Sequence, residues 1–273
     1  MPRSRWFAPA ENVWVMGVLN STPDSFSDGG KYLNMDHALS HAHAMSRAGA
    51  AIIDIGGEST RPGAVPVPLE EELARVVPLI RSLAGNGVCV SVDTSKAEVM
   101  RQSLEAGASM VNDVTALQGD PASMGIVAGC GVDVCLMHMR GAPQTMQKHT
   151  GYEDVVSEVE SFLATRIEAC VKAGIRESAI LIDPGIGFGK NPHDNLSLIA
   201  AIPRLKRMGF PVLMGVSRKS FLGALTGAPA DDREMETAAA VSVCVHAGAD
   251  VVRVHDVSMQ ARAARVAAAI RDA

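Results

Sequence analysis

The sequence Ala48-Gly49-Ala50-Ala51-Ile52-Ile53-Asp54 joins the end of a helical segment to a short apolar run that stops at a carboxylate. The same order recurs where Ala106-Gly107-Ala108 precedes Asn112, and where Ala247-Gly248-Ala249 precedes Arg253. Glycine suits the end of a helix because it adopts the left-handed backbone conformation at low cost. The repeat therefore predicts helices that lead directly into buried strands.

Eight apolar runs lie along the chain, and amphipathic segments of helical period separate them. Each run stops at a polar or charged residue: Asn20, Asp54, Asp93, Asn112, His138, Asp183, Ser217 and Arg253. Alternating strands and helices predict parallel pairing with right-handed crossovers. We predict a (β/α)₈ TIM barrel, with strands near residues 13–19, 51–55, 88–92, 109–113, 133–137, 179–182, 211–215 and 251–254. In such a barrel the eight stops converge on one mouth. A doubly wound open sheet is the competing fold.

Composition limits the classes of protein that the chain can belong to. Its 273 residues, 47% of them hydrophobic, can bury one large core, and no linker divides them, so we expect a single domain over residues 1–273. The net charge of −5 argues against binding to nucleic acid or to an anionic membrane surface. No apolar stretch approaches the roughly 18 residues of a membrane span, and nothing marks the chain for export.

The five cysteines show neither a Cys-x-x-Cys pair nor neighbouring histidines. This pattern predicts packed, reduced thiols and therefore a cytoplasmic protein.

Two long segments rich in turn residues follow the first two predicted strands. Residues 20–30 offer an amide, hydroxyls and carboxylates, and residues 56–63 add the guanidinium of Arg61. Loops of this length in a compact barrel commonly act as lids or binding segments. We expect both loops to lie at the mouth.

Polar side chains at three further strand ends indicate what could bind there. Asp93 and Asp183 can each accept paired N–H bonds from a ring and its exocyclic amine, while Asn112 can both donate and accept. Such a set suits a flat heterocycle, either a pterin or a purine. The alternatives are that Asp93 caps the following helix and that Asp183 begins a turn.

The last two strands are followed by Ser217-Arg218-Lys219-Ser220 and by Arg253-Val254-His255-Asp256. Loops at these positions of a barrel often bind phosphate, which predicts an anionic group on the substrate. Lys219 could instead form a Schiff base, as in aldolases.

These segments together resemble the dihydropteroate synthase family over nearly the whole chain. The motifs that carry the resemblance are MGVLNSTPDSFSDGG from Met16, DIGGESTRPGA from Asp54, SVDTSK from Ser91, NDV from Asn112, CLMHM from Cys135, DPGIGFGK from Asp183, GVSRKS from Gly215 and RVHDV from Arg253. The resemblance implies a transferase of folate biosynthesis that works as a homodimer with Mg²⁺. Such an enzyme joins (7,8-dihydropterin-6-yl)methyl diphosphate to 4-aminobenzoate, forms 7,8-dihydropteroate and releases diphosphate.

The resemblance also implies roles for individual residues. The pterin would be held by Asp93, Asn112, Asp183, Lys219 and Arg253, and Asp93, Asp183 and Lys219 would be the catalytic residues. Asn20 would bind Mg²⁺, and diphosphate would contact Asn20, Thr60, Arg253 and His255. The aminobenzoate pocket would comprise Thr60, Arg61, Pro62, Phe188 and Ser217.

Two alternatives remain at this point. A methyltetrahydrofolate methyltransferase could share the pterin pocket, although it has no use for a diphosphate site. A paralogue without catalytic activity could bind pterins or regulate a partner.

Overall fold

We describe the protein from a computed structural model that covers residues 5–6, 12–21, 31–61, 63–146 and 150–273, with the side chains of residues 31–34 outside the description. Most of the first predicted loop, residues 22–30, therefore lies outside the described residues.

Parallel strands form one sheet that closes on itself. Their order around the sheet is β6-β5-β4-β3-β2-β1-β8-β7. The strands are β1 (Trp14–Asn20), β2 (Ile52–Gly56), β3 (Val90–Asp93), β4 (Met110–Asp113), β5 (Asp133–Met137), β6 (Ile180–Asp183), β7 (Leu213–Met214) and β8 (Val251–Val254). Closure comes from a bridge between Ile182 and Val212, beside which the amide of Ile182 donates to the carbonyl oxygen of Pro211 at 2.9 Å. The predicted barrel is confirmed, and the competing prediction of a doubly wound open sheet is wrong.

Helices connect successive strands on the outside of the barrel. In the described residues they are α1 (Lys31–Arg47), α2 (Leu69–Gly85), α3 (Ala97–Glu105), α4 (Ser123–Cys130), α5 (Val155–Lys172), α6 (Pro192–Ala200), α7 (Ile202–Lys206), α8 (Ser220–Thr226), α9 (Glu234–His246) and α10 (Val257–Arg271). Among these helices, none is both long and apolar enough to cross a membrane.

The repeated Ala-Gly-Ala motif has the predicted structural role. Gly49, Gly107 and Gly248 follow α1, α3 and α9, and each has a φ angle between +106° and +111°. A Cβ on Gly107 would also lie 2.7 Å from the Cβ of Ala84 in α2. Glycine at this point therefore both ends the helix and allows neighbouring helices to approach.

Strand β7 is shorter than the predicted run of residues 211–215. Pro211 has no amide hydrogen to offer to a neighbouring strand. The amide of Val212 donates to Asp250 Oδ2 at 2.8 Å and not to a strand carbonyl. Regular pairing in β7 therefore begins only at Leu213.

Apolar side chains fill the lower part of the barrel, near the N-terminal ends of the strands. This inner cluster is separate from the larger core between strands and helices, and its strand residues are Met16, Ile52, Met110, Cys135, Leu181, Leu213 and Val251. Trp6 packs against the cluster, and its indole N–H donates to Asp133 Oδ2 at 2.8 Å. Since this end is filled, the interior of the barrel is open to a ligand at the carboxyl ends of the strands.

The expectation that all eight strand ends converge on that mouth is wrong for His138. Successive side chains of a strand alternate in direction, and Met137 lines the mouth. His138 therefore faces the helical layer, where its ring meets Phe162 of α5 edge-on, with 4.9 Å between centroids.

Candidate functional site

A cleft of about 690 Å³ opens at the carboxyl ends of the strands. The predicted site residues that the structure describes all line this cleft: Asn20, Thr60, Arg61, Asp93, Asn112, Asp183, Phe188, Ser217, Lys219, Arg253 and His255. Pro62 is also a predicted site residue, but it lies outside the described residues. The fold thus gathers side chains from most of the strand ends into one pocket.

The guanidinium of Arg253 lies between two carboxylates at the floor of the cleft. Its Nε donates to Asp54 Oδ2 at 2.6 Å, and its NH2 group donates to Asp93 Oδ2 at 2.7 Å. The amide nitrogen of Asn112 also donates to Asp54 Oδ2, at 2.9 Å. Asp54 was absent from the predicted site, although it ends one of the apolar runs. It is fully buried and acts through Arg253 and Asn112.

These contacts set the charge states at the floor. Burial raises the pKa of Asp93 to about 7; Arg253 opposes this shift, and the neighbouring Asp54 adds to it. Burial alone would lower the pKa of Arg253, but the carboxylates of Asp54 and Asp93 hold that pKa above its ordinary value. Arg253 is therefore a permanent cation, whereas Asp93 exchanges its proton near neutral pH.

Asp183 and Lys219 also line the cleft, and each acts on the charge of the other. Asp183 Oδ1 accepts the amide hydrogen of Gly185 at 2.7 Å, and burial raises the pKa of this carboxyl group. Burial, with Arg253 nearby, lowers the pKa of Lys219 to about 8. The Nζ of Lys219 lies 4.1 Å from the centroid of the Phe188 ring, which is close enough for a cation–π contact.

Gly187 allows Lys219 to reach this position. Its φ angle is +83°, and a Cβ there would lie 3.0 Å from Lys219 Cδ. Any side chain at residue 187 would therefore strain the backbone and displace the lysine.

Ser217 and His255 form a fixed pair at the mouth. Ser217 Oγ accepts the backbone amide hydrogen of His255 at 3.2 Å and lies 2.9 Å from His255 Nδ1. Burial, followed by the charge of Arg253, lowers the pKa of His255 to about 3. The imidazole of His255 is therefore uncharged at neutral pH and can contribute hydrogen bonds only.

The second loop is fastened by an ion-pair network that sequence reasoning missed. Lys96 Nζ contacts Glu58 Oε2 at 2.6 Å and also pairs with Glu72, which is fully buried in α2. Glu58 Oε2 in turn accepts the amide hydrogen of Val67 at 2.8 Å. The available signal was the position of Glu72 on the apolar stripe of α2 with Val76, Leu79 and Leu83, since a carboxylate that is buried there needs a partner.

One wall of the cleft is apolar. Val114, Met137, Met146 and Phe188 form a small buried cluster there. An apolar wall in the same cleft as buried carboxylates and an ammonium suits a flat ring with polar edges, while the cations nearer the mouth suit an anion. Among the described residues, no group of three or more His, Cys, Asp or Glu side chains could hold a metal ion.

Comparisons with known proteins agree on one family. A sequence model described as pterin binding enzyme matches residues 16–255. The chain is 46% identical to the dihydropteroate synthase of Escherichia coli strain K12 over 253 residues, which cover 92% of this chain and 89% of that enzyme.

Two solved structures from Xanthomonas albilineans have the same fold. The chain is 46% identical to dihydropteroate synthase with 4-aminobenzoic acid, with a TM-score of 0.90 and coverage of 96% of this chain and 94% of that one. It is 44% identical to dihydropteroate synthase in complex with 7,8-dihydropteroate, with a TM-score of 0.87 and coverage of 96% and 95%.

The raised pKa of Asp93 predicts that the free energy of unfolding depends on pH. Its pKa rises from 3.8 in the unfolded chain to about 7 in the fold, so its stabilising contribution is complete below about pH 4 and is lost as the pH rises through 7. We expect this group to lower the free energy of unfolding in urea by on the order of 1 to 3 kcal/mol between pH 4 and pH 8. Asp93→Asn should remove that part of the decline, whereas Asp36→Asn, at an exposed position of α1, should not. Equal pH slopes in all three proteins would contradict the shifted pKa.

Proposed function

The chain belongs to the dihydropteroate synthase family of pterin-binding enzymes, and on that premise we propose how the residues around its cleft divide the work of the reaction. The enzyme is a transferase that condenses (7,8-dihydropterin-6-yl)methyl diphosphate with 4-aminobenzoate to give 7,8-dihydropteroate and diphosphate. The observation that carries the assignment of roles is one cleft lined by the buried carboxyl groups of Asp93 and Asp183 and by the half-buried side chains of Lys219 and Arg253.

The deep end of the cleft holds the pterin ring in this proposal. Because Gly185 fixes one oxygen of Asp183, the other oxygen is the acceptor for ring N–H groups. Asn112 has one N–H engaged by Asp54, which leaves its second N–H and its carbonyl oxygen for the ring. Lys219 donates to a ring acceptor, and Arg253 lies against the ring face.

The proposed catalytic residues are Asp93, Asp183 and Lys219. Breaking the bond between the methylene carbon and the diphosphate oxygen leaves positive charge that is delocalised into the dihydropterin ring. A neighbouring positive charge lowers the pKa of a carboxyl group, so Asp93 would lose its proton as that charge develops. Prepositioned charges of this kind contribute roughly 3 to 4 kcal/mol each to transition-state stabilisation.

Diphosphate lies at the mouth, against Asn20, Thr60, Arg253 and His255. Since Ser217 Oγ accepts from the His255 amide, its own hydrogen is available for Nδ1, and the imidazole proton is then on Nε2. His255 would thus donate one neutral hydrogen bond, and Arg253 would supply the charge.

Mg²⁺ is the proposed cofactor, with Asn20 as its protein ligand. The donor set fits this ion, because Mg²⁺ keeps several waters and is commonly bound through one or two protein oxygens together with substrate phosphates. The absence of a cluster of acidic or histidine ligands in the described residues agrees with such a site. When bound, the ion would neutralise charge on the leaving diphosphate.

The aminobenzoate pocket is proposed to comprise Thr60, Arg61, Pro62, Phe188 and Ser217. Phe188 offers an apolar face to the aryl ring, and Arg61 offers a cation to its carboxylate. Ser217 acts by holding His255 in place, because its hydroxyl is engaged there. An aryl amine is neutral at pH 7, so its attack needs no strong general base.

The whole chain is proposed to work as one pterin-binding domain in the cytoplasm. The five cysteines are all unpaired, which agrees with a reducing compartment.

The reaction itself is tested by diphosphate release from purified protein. Release should require both substrates, and Lys219→Met and Asp183→Asn should each lower kcat/KM by on the order of 100-fold, because each removes a charge at the ring. Lys172→Met, at the exposed end of α5, is the control and should match the wild type. Wild-type protein that binds pterin without releasing diphosphate would instead be a silent paralogue.

The metal assignment is tested in the same assay across a range of Mg²⁺ concentrations. Asn20→Ala should raise the Mg²⁺ concentration for half-maximal rate by about tenfold, because it removes the protein's own ligand oxygen. An unchanged Mg²⁺ dependence would exclude Asn20 as the ligand.

We also propose that the chain forms a homodimer through an apolar face on α9 and α10. Exposed apolar side chains concentrate on these two packed helices: Met235, Val243, Met259, Val266 and Ile270. Light scattering should give twice the mass of one chain, and Ile270→Lys should shift the protein toward monomer, whereas Leu69→Lys on α2 should not. A wild-type monomer at micromolar concentration would contradict the proposal.

A further inference from the structure

Lys190 ends the DPGIGFGK segment, yet it lies outside the cleft and takes no part in the roles assigned above. Its side chain is only 3% exposed. Its Nζ lies 2.9 Å from the carbonyl oxygen of Gly185 and 3.0 Å from that of Phe188. It also lies 2.9 Å from Nδ1 of His138 and 3.3 Å from the carbonyl oxygen of the same residue. The turn after β6 thus folds around its own terminal ammonium.

The partners of Lys190 determine its charge state. Carbonyl oxygens only accept hydrogen bonds. Burial, followed by the charge of Lys190, lowers the pKa of His138 to about 3, so the imidazole is neutral and its Nδ1 can accept as well. Burial also lowers the pKa of Lys190 to about 7, while Asp183 acts to raise it. Since every hydrogen-bond partner found for Nζ is an acceptor, the ammonium form fits this site.

The glycines of the turn allow this tight arrangement. Gly185 has a φ angle of +71°, and a Cβ there would lie 1.9 Å from the carbonyl oxygen of His138. Gly189 has a φ angle of +64°, and a Cβ there would lie 3.0 Å from the carbonyl oxygen of Arg140. The turn therefore lies against the loop after β5, with Lys190 as the hydrogen-bond donor between the two segments.

The opposite side of the same turn faces the substrates. Phe188 lines the cleft and lies against the ammonium of Lys219, and the Lys219 side chain occupies the space where a Cβ on Gly187 would lie. A shift of this turn would move Phe188 and Lys219 together, and with them one wall of the proposed aminobenzoate pocket.

Lys190 and Asp183 bind opposite ends of the same peptide residue, since Lys190 Nζ donates to the carbonyl oxygen of Gly185 at 2.9 Å and Asp183 Oδ1 accepts the Gly185 amide hydrogen at 2.7 Å. The groups that act on the Asp183 carboxyl are the Gly185 amide and the cations Lys219, Lys190 and Arg253, all of which favour the carboxylate against the effect of burial. Lys190 itself is faced by Asp183, Asp194, Lys219, Arg140 and His138. Asp183 thus has cations both in the cleft and outside it.

We infer that Lys190 is a positioning residue that holds the turn after β6 against the cleft and helps to keep Asp183 ionised. This inference rests on the proposed roles of Asp183, Phe188 and Lys219. It adds a residue that touches neither substrate but controls the geometry and charge of those that do.

Steady-state kinetics of Lys190→Met and Lys190→Gln test the inference. Methionine keeps most of the length of the side chain but removes its hydrogen-bond donors and its charge. We therefore expect kcat/KM to fall by on the order of 10- to 100-fold, with KM rising more for aminobenzoate than for the pterin substrate. Glutamine keeps a hydrogen-bond donor without charge, so the KM for aminobenzoate in Lys190→Gln should lie between that of Lys190→Met and that of the wild type.

The pH profile separates the effect of charge from that of packing. Without the positive charge of Lys190, the pKa of Asp183 rises further, so the acid limb of kcat/KM should move to higher pH in both variants. A purely structural role would not move it. Lys172→Met serves as the matched control and should leave both limbs in place.

Each outcome decides the question. An unmoved acid limb in the folded variants overturns the charge role, and an unchanged aminobenzoate KM in Lys190→Met overturns the positioning role. Failure of both variants to fold, measured by circular dichroism, would assign Lys190 to the stability of the barrel alone. A wild type without activity would count against the proposed function itself, whereas an active wild type with unaltered variants would overturn only this inference.

Discussion

The bridge that the Arg253 guanidinium forms between Asp54 and Asp93 is the interaction on which the rest of the site depends. Two carboxylates buried within reach of one another would repel, and each would lose its hydration. The guanidinium resolves both problems because its fork offers N–H groups to the two acids at once. Removing one partner of such a set leaves a buried charge without compensation, which costs roughly 3 to 5 kcal/mol.

The same contact connects the fold to the chemistry. Asp54 is fully buried, whereas Asp93 lines the cleft, so Arg253 connects a carboxylate of the core to one that can meet a substrate. Asp93 keeps a proton that it can lose near neutral pH, whereas Arg253 remains charged. Such a site can stabilise positive charge on a substrate through the Asp93 carboxylate. It can stabilise negative charge on a substrate through the Arg253 guanidinium.

Lysines around the cleft differ in role because they differ in partners. Lys96 is paired with two glutamates and fastens the second loop. Lys190 is surrounded by neutral acceptors and fastens the turn after β6. Lys219 lies over the Phe188 ring in the cleft, which is the arrangement expected of a ligand-binding cation. Two of the three therefore shape the walls, and the third faces the substrates.

The sequence by itself determined the barrel, since alternating apolar runs and amphipathic segments, with glycine at the helix ends, leave few other ways to bury the strands. It also placed Asp93, Asp183, Lys219 and Arg253 at one mouth, because parallel strands in a closed sheet end on the same side. Only the tertiary structure decided which of these groups touch. It turned His138 away from the cleft, brought Asp54 beneath Arg253, and made His255 neutral, because contacts between residues far apart in the chain and the exclusion of water depend on register and packing that local sequence does not encode.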